Sequence, residues 1–221
     1  ISFTLRLTGD LNIDALEQSF NGIAQRHEIW RTTFVEVDDQ PVQKIAPYEP
    51  RSLTVIDAQT LPEDQREATV SQQIATTVRQ PFDLATGPLV RVTVFKVSPN
   101  ESVLLFNTHH ITFDAWCRGI VMRELAAFYT AFSTGTEVSL PEVPIQYADF
   151  TVWQRQWLQG EGLEQLLAYW HKQLTDAPTL LELPTDRPRP AMQTYRGDRH
   201  TEIIPAHLRD ELLALARSEG A

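Results

Sequence analysis

The chain has 221 residues, 42% hydrophobic and 22% charged, a balance that suits a soluble globular protein forming one large domain or two small ones. Lys plus Arg number 19 against 29 Asp plus Glu, a formal charge of −10 that argues against a nucleic-acid surface, which needs a basic footprint. No apolar run approaches the roughly 18 residues of a membrane-spanning helix, Ile1-Ser2-Phe3-Thr4-Leu5-Arg6 lacks a signal-peptide layout, and a lone cysteine, Cys117, permits no internal disulfide and fits a reducing cytoplasm.

Ile1 to Leu7 alternates as a strand, with Phe3, Leu5 and Leu7 on one face, and Gly9-Asp10 turns it. Asn12 or Asp14 can cap the helix that follows, and Asp14 with Glu17 has capping-box spacing. Leu16, Phe20, Ile23 and His27 carry this helix to about His27. Trp30 to Val37 is rich in β-branched and aromatic residues and predicts a strand; after the turn Asp38-Asp39-Gln40-Pro41, Val42 to Ile45 pairs back as a hairpin. Leu53 to Ile56 is a short strand, and Glu63 to Gln80 a helix with a thin stripe of Val70, Ile74 and Val78.

Pro81 and Gly87-Pro88 bracket a loop. Leu89 to Val97 is a strand, Ser98 to Glu101 a turn, and Val103 to Thr108 a strand returning beside the first. Beyond it, from about Trp116 to Phe132, Cys117, Val121, Leu125, Phe128 and Phe132 form one helix face that Ser133-Thr134-Gly135 stops. Two helices follow an irregular stretch, about Gln146 to Gln159 and Leu163 to Thr175, and Trp153 with Trp157 reads as core. Ala177 to Gly197 holds four prolines and reads as a connection between lobes. Arg199 to Ile204 predicts a strand, with Pro205 as first residue of a helix bearing Leu208, Leu212 and Leu215. No internal repeat or low-complexity tract is present.

The chemistry concentrates in Thr108-His109-His110-Ile111-Thr112-Phe113-Asp114-Ala115-Trp116, where a strand ends and a helix begins. Rigid elements on both sides can hold side chains in place, and the helix start adds free N–H groups and partial positive charge. Neighbours on a strand point to opposite faces, so one of His109 and His110 faces the interior and the other a cavity. Histidine suits proton transfer because its unperturbed pKa of roughly 6.5 lies near working pH; the bland reading is a hydrogen-bonded core histidine. Asp114 either caps the helix or pairs with a cation. Cys117 could serve as a nucleophile beside a histidine, but a buried helix cysteine is the commoner case. A metal site at His110 and Asp114 is disfavoured because the pair spans a strand end and a loop, and His171, His200 and His207 have no accompanying ligands.

This stretch resembles the His-His-x-x-x-Asp-Gly motif of condensation domains from nonribosomal peptide synthetases, which belong with the chloramphenicol acetyltransferase-like acyltransferases. Arg26-His27-Glu28-Ile29-Trp30-Arg31-Thr32-Thr33-Phe34 is similar to that family's Arg-His-Glu-x-Leu-Arg-Thr-x-Phe motif, and Tyr147-Ala148-Asp149-Phe150-Thr151-Val152-Trp153 to its Tyr-x-Asp-Tyr-Ala-Val-Trp motif. Pro81-Phe82-Asp83-Leu84 with Gly87-Pro88-Leu89 agrees. Ala115 departs from the pattern, which has glycine there, and adds a methyl at a helix start.

The resemblance implies an α/β chloramphenicol acetyltransferase-like two-layer sandwich, mostly the N-terminal lobe of a two-lobed condensation domain: residues 1–176 as that lobe with its start truncated, 177–197 as the interlobe connection and 198–221 as the truncated beginning of the C-terminal lobe. Such a chain is expected to be inactive alone. The implied reaction joins a donor acyl or peptidyl thioester to the amine of an acceptor aminoacyl thioester, both on 4'-phosphopantetheine arms of carrier proteins that enter a tunnel between the lobes. His110 is then the catalytic base or positioner, His109 structural, and Asp114 an architectural partner of Arg26 or Arg31. The domain is expected to bind no cofactor and no metal itself, to work in the cytoplasm, and to neighbour other synthetase domains such as an adenylation domain. Alternatives are an epimerisation or other noncanonical condensation-type domain, or a noncatalytic carrier-protein docking domain.

Overall fold

The computed structural model describes residues 1–194, 197, 198 and 200–220. Its central strand is β6 (Glu101–Thr108), which lies between β1 (Ser2–Thr8) and β5 (Val90–Ser98), antiparallel to both. β4 (Thr54–Asp57) adds in parallel on the far side of β5, giving the order β1-β6-β5-β4. The run Val103-Leu104-Leu105-Phe106 is apolar without alternation because both faces of β6 are covered. Leu104 and Phe106 join Leu16, Phe20, Ile23, Val121, Leu125 and Phe128 in one core. Val103 and Leu105 turn the other way, into a second core with Phe95, Val97, Ala58 and Val70.

The first core is roofed by α1 (Ile13–Arg26) and α3 (Ala115–Thr134), the second by α2 (Glu63–Val78), whose predicted stripe of Val70, Ile74 and Val78 makes the contact. α1 and α3 approach closely at Gly22, where an added Cβ would stand 2.7 Å from the Phe128 ring. The predicted hairpin is β2 (Thr32–Val37) with β3 (Gln40–Ile45). Asp38 and Asp39 turn it with φ of 51° and 57°, the paired left-handed residues that a tight hairpin needs.

Several boundaries differ from the sequence reading. Asn12 caps α1, its side chain accepting from the Ala15 N–H at 3.0 Å. Glu17, expected to close a capping box with Asp14, instead accepts the Leu53 N–H at 2.8 Å. Trp30 belongs to a one-turn 3-10 helix, Glu28–Arg31, so β2 starts two residues later and Trp30 turns into the first core. Trp153 and Trp157 of α4 (Tyr147–Trp157) stack on each other at 5.7 Å, but each is about half exposed and neither is core.

The chain divides into two compact units, Ile1–Tyr169 and Trp170–Ala221. The sheet, the hairpin and α1 to α4 lie in the first; α5 (Gly160–Gln173) contributes residues to each. In the second, the described part of 177–197 carries no helix or strand, and α6 (Ala206–Ser218) starts after Pro205, which caps it and is not its first turn. The predicted strand at 199–204 is not found: residues 200–204 are irregular and Arg199 lies outside the described residues. A strand needs a partner for its N–H and C=O groups, and the described residues of this unit include no other strand.

Candidate active site

β6 stops at Thr108 because the chain turns into a 3-10 helix, His110–Thr112, before α3 begins. Two buried threonines fasten this turn to the sheet. The Thr108 hydroxyl donates to the Leu89 carbonyl at 2.9 Å. Thr112 Oγ1 lies 3.0 Å from Thr108 Oγ1 and donates to the His109 carbonyl at 3.1 Å. The His109 N–H adds a bond to the Leu89 carbonyl at 2.9 Å. Phe113 then anchors the exit in the first core, its ring 5.2 Å from that of Phe106.

Between these anchors the two histidines take separate roles. His109 is half-buried, with its ring edge-on to Phe82 at 6.0 Å and its Nδ1 accepting the Ile111 N–H at 3.1 Å. That bond leaves Nε2 to carry the ring proton in the neutral form. His110 is exposed at the start of the turn. Strand alternation is not the reason: His109 already caps the turn, and the change from strand to 3-10 geometry swings His110 outward.

Asp114 is the N-cap of α3, its carboxylate accepting the Cys117 N–H at 3.0 Å. That bond first, then the Cys117 thiol, draws its pKa below the ordinary carboxylate range, and the charge of His110 adds a little more. The expected ion pair of Asp114 with Arg26 or Arg31 is not formed. Asp114 is exposed, and both arginines are committed elsewhere. Arg26 Nε lies 3.1 Å from Glu124 Oε1 and its guanidinium also reaches the Pro141 carbonyl. Arg31 pairs with Glu28 at 3.2 Å and donates to the Ala46 carbonyl. Ala115 is the first residue of α3 and is exposed.

The first motif is therefore an architectural knot, and its centre escaped sequence reasoning. Glu124 is buried on α3, bonded by Arg26 and, at 2.6 Å, by His27 Nε2. The signal was available: Glu124 falls among Val121, Leu125 and Phe128 on the buried stripe, where an acid needs a partner. Gln146 ties the same knot to the third motif, accepting the Glu28 N–H at 3.1 Å and donating to the Arg26 carbonyl at 3.0 Å, while its own N–H is capped by Asp149.

Cys117 is half-buried, and burial pushes its thiol pKa up, with the Asp114 carboxylate adding to the effect. A thiol held neutral is a poor nucleophile. Among the described residues no three His, Cys, Asp or Glu side chains gather as metal ligands, and no helix is long and apolar enough to cross a membrane.

The mixed α/β fold is that of chloramphenicol acetyltransferase-like domains, as the likeness to solved structures shows. The X-domain from teicoplanin biosynthesis, in its complex with OxyB, superposes with a TM-score of 0.77 at 32% identity over 89% of this chain and 42% of its own. The starter condensation domain of rhizomide synthetase RzmA gives 0.72 over 81% and 43%, and at 22% identity shows the fold alone. The condensation domain profile matches residues 1–221, so the chain belongs to the condensation domain family. It is 47% identical to a stretch of a linear gramicidin synthase of Brevibacillus parabrevis, and 38% identical to one of phosphinothricin tripeptide synthetase PhsC of Streptomyces viridochromogenes, in both cases over the whole chain. It spans 3% of the first relative and 20% of the second.

Proposed function

We propose that this chain supplies the catalytic histidine of a peptide-bond-forming condensation domain, in a cytoplasmic synthetase whose neighbours include carrier and adenylation domains. In this reading residues 1–176 are the N-terminal lobe, 177–197 the connection and 198–221 the start of the second lobe. The observation that carries the proposal is His110: exposed at the end of β6, on a turn braced by Thr108 and Thr112, in a chain matched to the condensation family throughout.

The acceptor's amine attacks the carbonyl carbon of the donor thioester. A C–N bond forms, the C–S bond breaks, and the donor's phosphopantetheine leaves as a thiol. His110 orients the amine, accepts the proton it loses and passes a proton to the departing sulfur. An α-amino group with a reference pKa of roughly 7.7–8.0 is already partly neutral near pH 7, so positioning carries much of the effect. Both thioesters are borne by 4'-phosphopantetheine arms of carrier proteins.

The test is single-turnover amide formation between loaded donor and acceptor carriers, read by mass spectrometry in the intact synthetase. His110→Ala should lower the rate by roughly 10²–10⁴-fold with an unchanged melting temperature, whereas His109→Ala should lower stability more than chemistry. Wild-type turnover by His110→Ala refutes the assignment. An epimerisation-type domain would instead invert the donor's stereocentre, a change the same products reveal. A second reading, a docking domain without chemistry, is favoured by the likeness to an X-domain solved in complex with OxyB; carrier binding without any amide product would select it.

A further inference from the structure

A cavity of about 460 Å³ lies inside the first unit, and His110 is not among the residues that line it. Its apolar surface comes from Phe20, Trp30 and Val92, and its charged surface from Arg31, Arg51 and Arg91 against a single acid, Glu49. Three arginines around one hollow run against a chain whose formal charge is −10. We propose that this cavity binds a small amphipathic anion, with a carboxylate or phosphate head on the arginines and a short acyl body over the aromatic floor.

The walls are held in place before any ligand arrives. β4 first pairs with β5 at Thr93, so the β5 edge at Val90–Val92 meets the cavity where a neighbouring strand would otherwise lie. The segment leading into β4 is drawn away to α1: the Asn21 side chain donates to the Arg51 carbonyl at 3.0 Å and accepts the Arg51 N–H at 2.8 Å, and Glu17 holds Leu53. Arg91 is stacked over Phe82 at 4.1 Å and donates to the Pro81 carbonyl at 2.9 Å. Arg31 already pairs with Glu28 and donates to the Ala46 carbonyl, so the charge offered to a ligand comes mainly from Arg51 and Arg91. Guanidinium groups match carboxylate and phosphate geometry. The volume lies within the range of small-ligand pockets, and fixed walls reduce the entropy lost on binding. The site stands apart from the His110 chemistry and does not depend on it.

The experiment is calorimetric titration of the full chain with sodium octanoate, octyl phosphate and octanol. At least one of the two anions should bind, and octanol about tenfold more weakly. Whichever anion binds tighter identifies the head group. Arg51→Gln, at an exposed residue, should weaken the anions by about tenfold and leave octanol unchanged. Ala24→Leu, which fills part of the floor, should weaken all three. Failure of both anions to bind, equal binding of octanol, or anion affinity untouched by Arg51→Gln overturns the proposal. The Arg51→Gln comparison decides it if Ala24→Leu disturbs the fold.

Discussion

His27 Nε2 lies 2.6 Å from Glu124 Oε2, joining a residue that follows α1 to one in the middle of α3 across 97 positions of chain. Arg26 takes the other oxygen of the same carboxylate at 3.1 Å, so two motif residues converge on an acid outside every motif. Glu124→Ala strands the Arg26 guanidinium in a largely buried place, and should destabilise the fold by roughly 3 kcal/mol. Glu124→Gln, which keeps one acceptor oxygen, should lose less. Urea unfolding of both variants checks the order.

Asp114→Ala removes an exposed cap and no ion pair. The melting temperature should fall by less than about 4 °C. Because the folded carboxylate titrates below its unfolded value, the contribution of the cap is complete above the ordinary pKa of roughly 3.9 and disappears as pH falls through the lower folded one. The wild-type and Asp114→Asn melting curves should therefore converge in acid. A gap that persists at low pH means that Asp114 is held by something other than charge.

Cys117 should react slowly with iodoacetamide at pH 7, because burial keeps the thiol protonated. Its alkylation rate should rise at higher pH than that of a free cysteine peptide measured alongside. Cys117→Ser should leave amide formation intact, whereas complete loss of turnover in a folded variant would point to a sulfur nucleophile.

Gly22→Ala places a methyl against Phe128, whose ring is buried and stacked on Phe132 at 5.8 Å. Overpacking costs about 1–3 kcal/mol, and alanine's better helix propensity returns about 1 kcal/mol. A net loss of up to about 2 kcal/mol should appear in chemical denaturation, and a smaller side chain in Gly22→Ala/Phe128→Leu should recover part of it.

Hydrophobic patterns located the strands and helices because burial enforces them: the continuous apolar run Val103 to Phe106 and the period-3.6 stripes of α1, α2 and α3 could face only a core. The choice of His110 over His109 came from the family resemblance; only the strand end before a helix, which marked both, was visible in sequence. The fate of Asp114 was not, because capping and ion pairing ask for the same carboxylate and only three-dimensional distance separates them. Trp153 and Trp157 misled for a related reason. Spacing shows that two side chains share a helix face, but not what covers that face. Glu124 and the two threonines were missed because their partners lie far off in sequence or are backbone atoms, neither of which a motif displays.

The sheet also sets how far His110 reaches. β5 and β6 run in fixed register from Val90 opposite Thr108 to Ser98 opposite Glu101, with one irregularity between Lys96 and Ser98. Moving β6 by a single residue would exchange Leu104 and Phe106 with Val103 and Leu105, so each core would receive side chains shaped for the other. The paired cores thus act as a vernier on chain length. Lengthening the turn at Pro99-Asn100 by one residue leaves two outcomes: a loop that absorbs the insertion while His110 stays put, or a slip that unmakes both cores together. No intermediate position of the histidine is open to the chain, and the reach of the site is decided about ten residues upstream, in the turn.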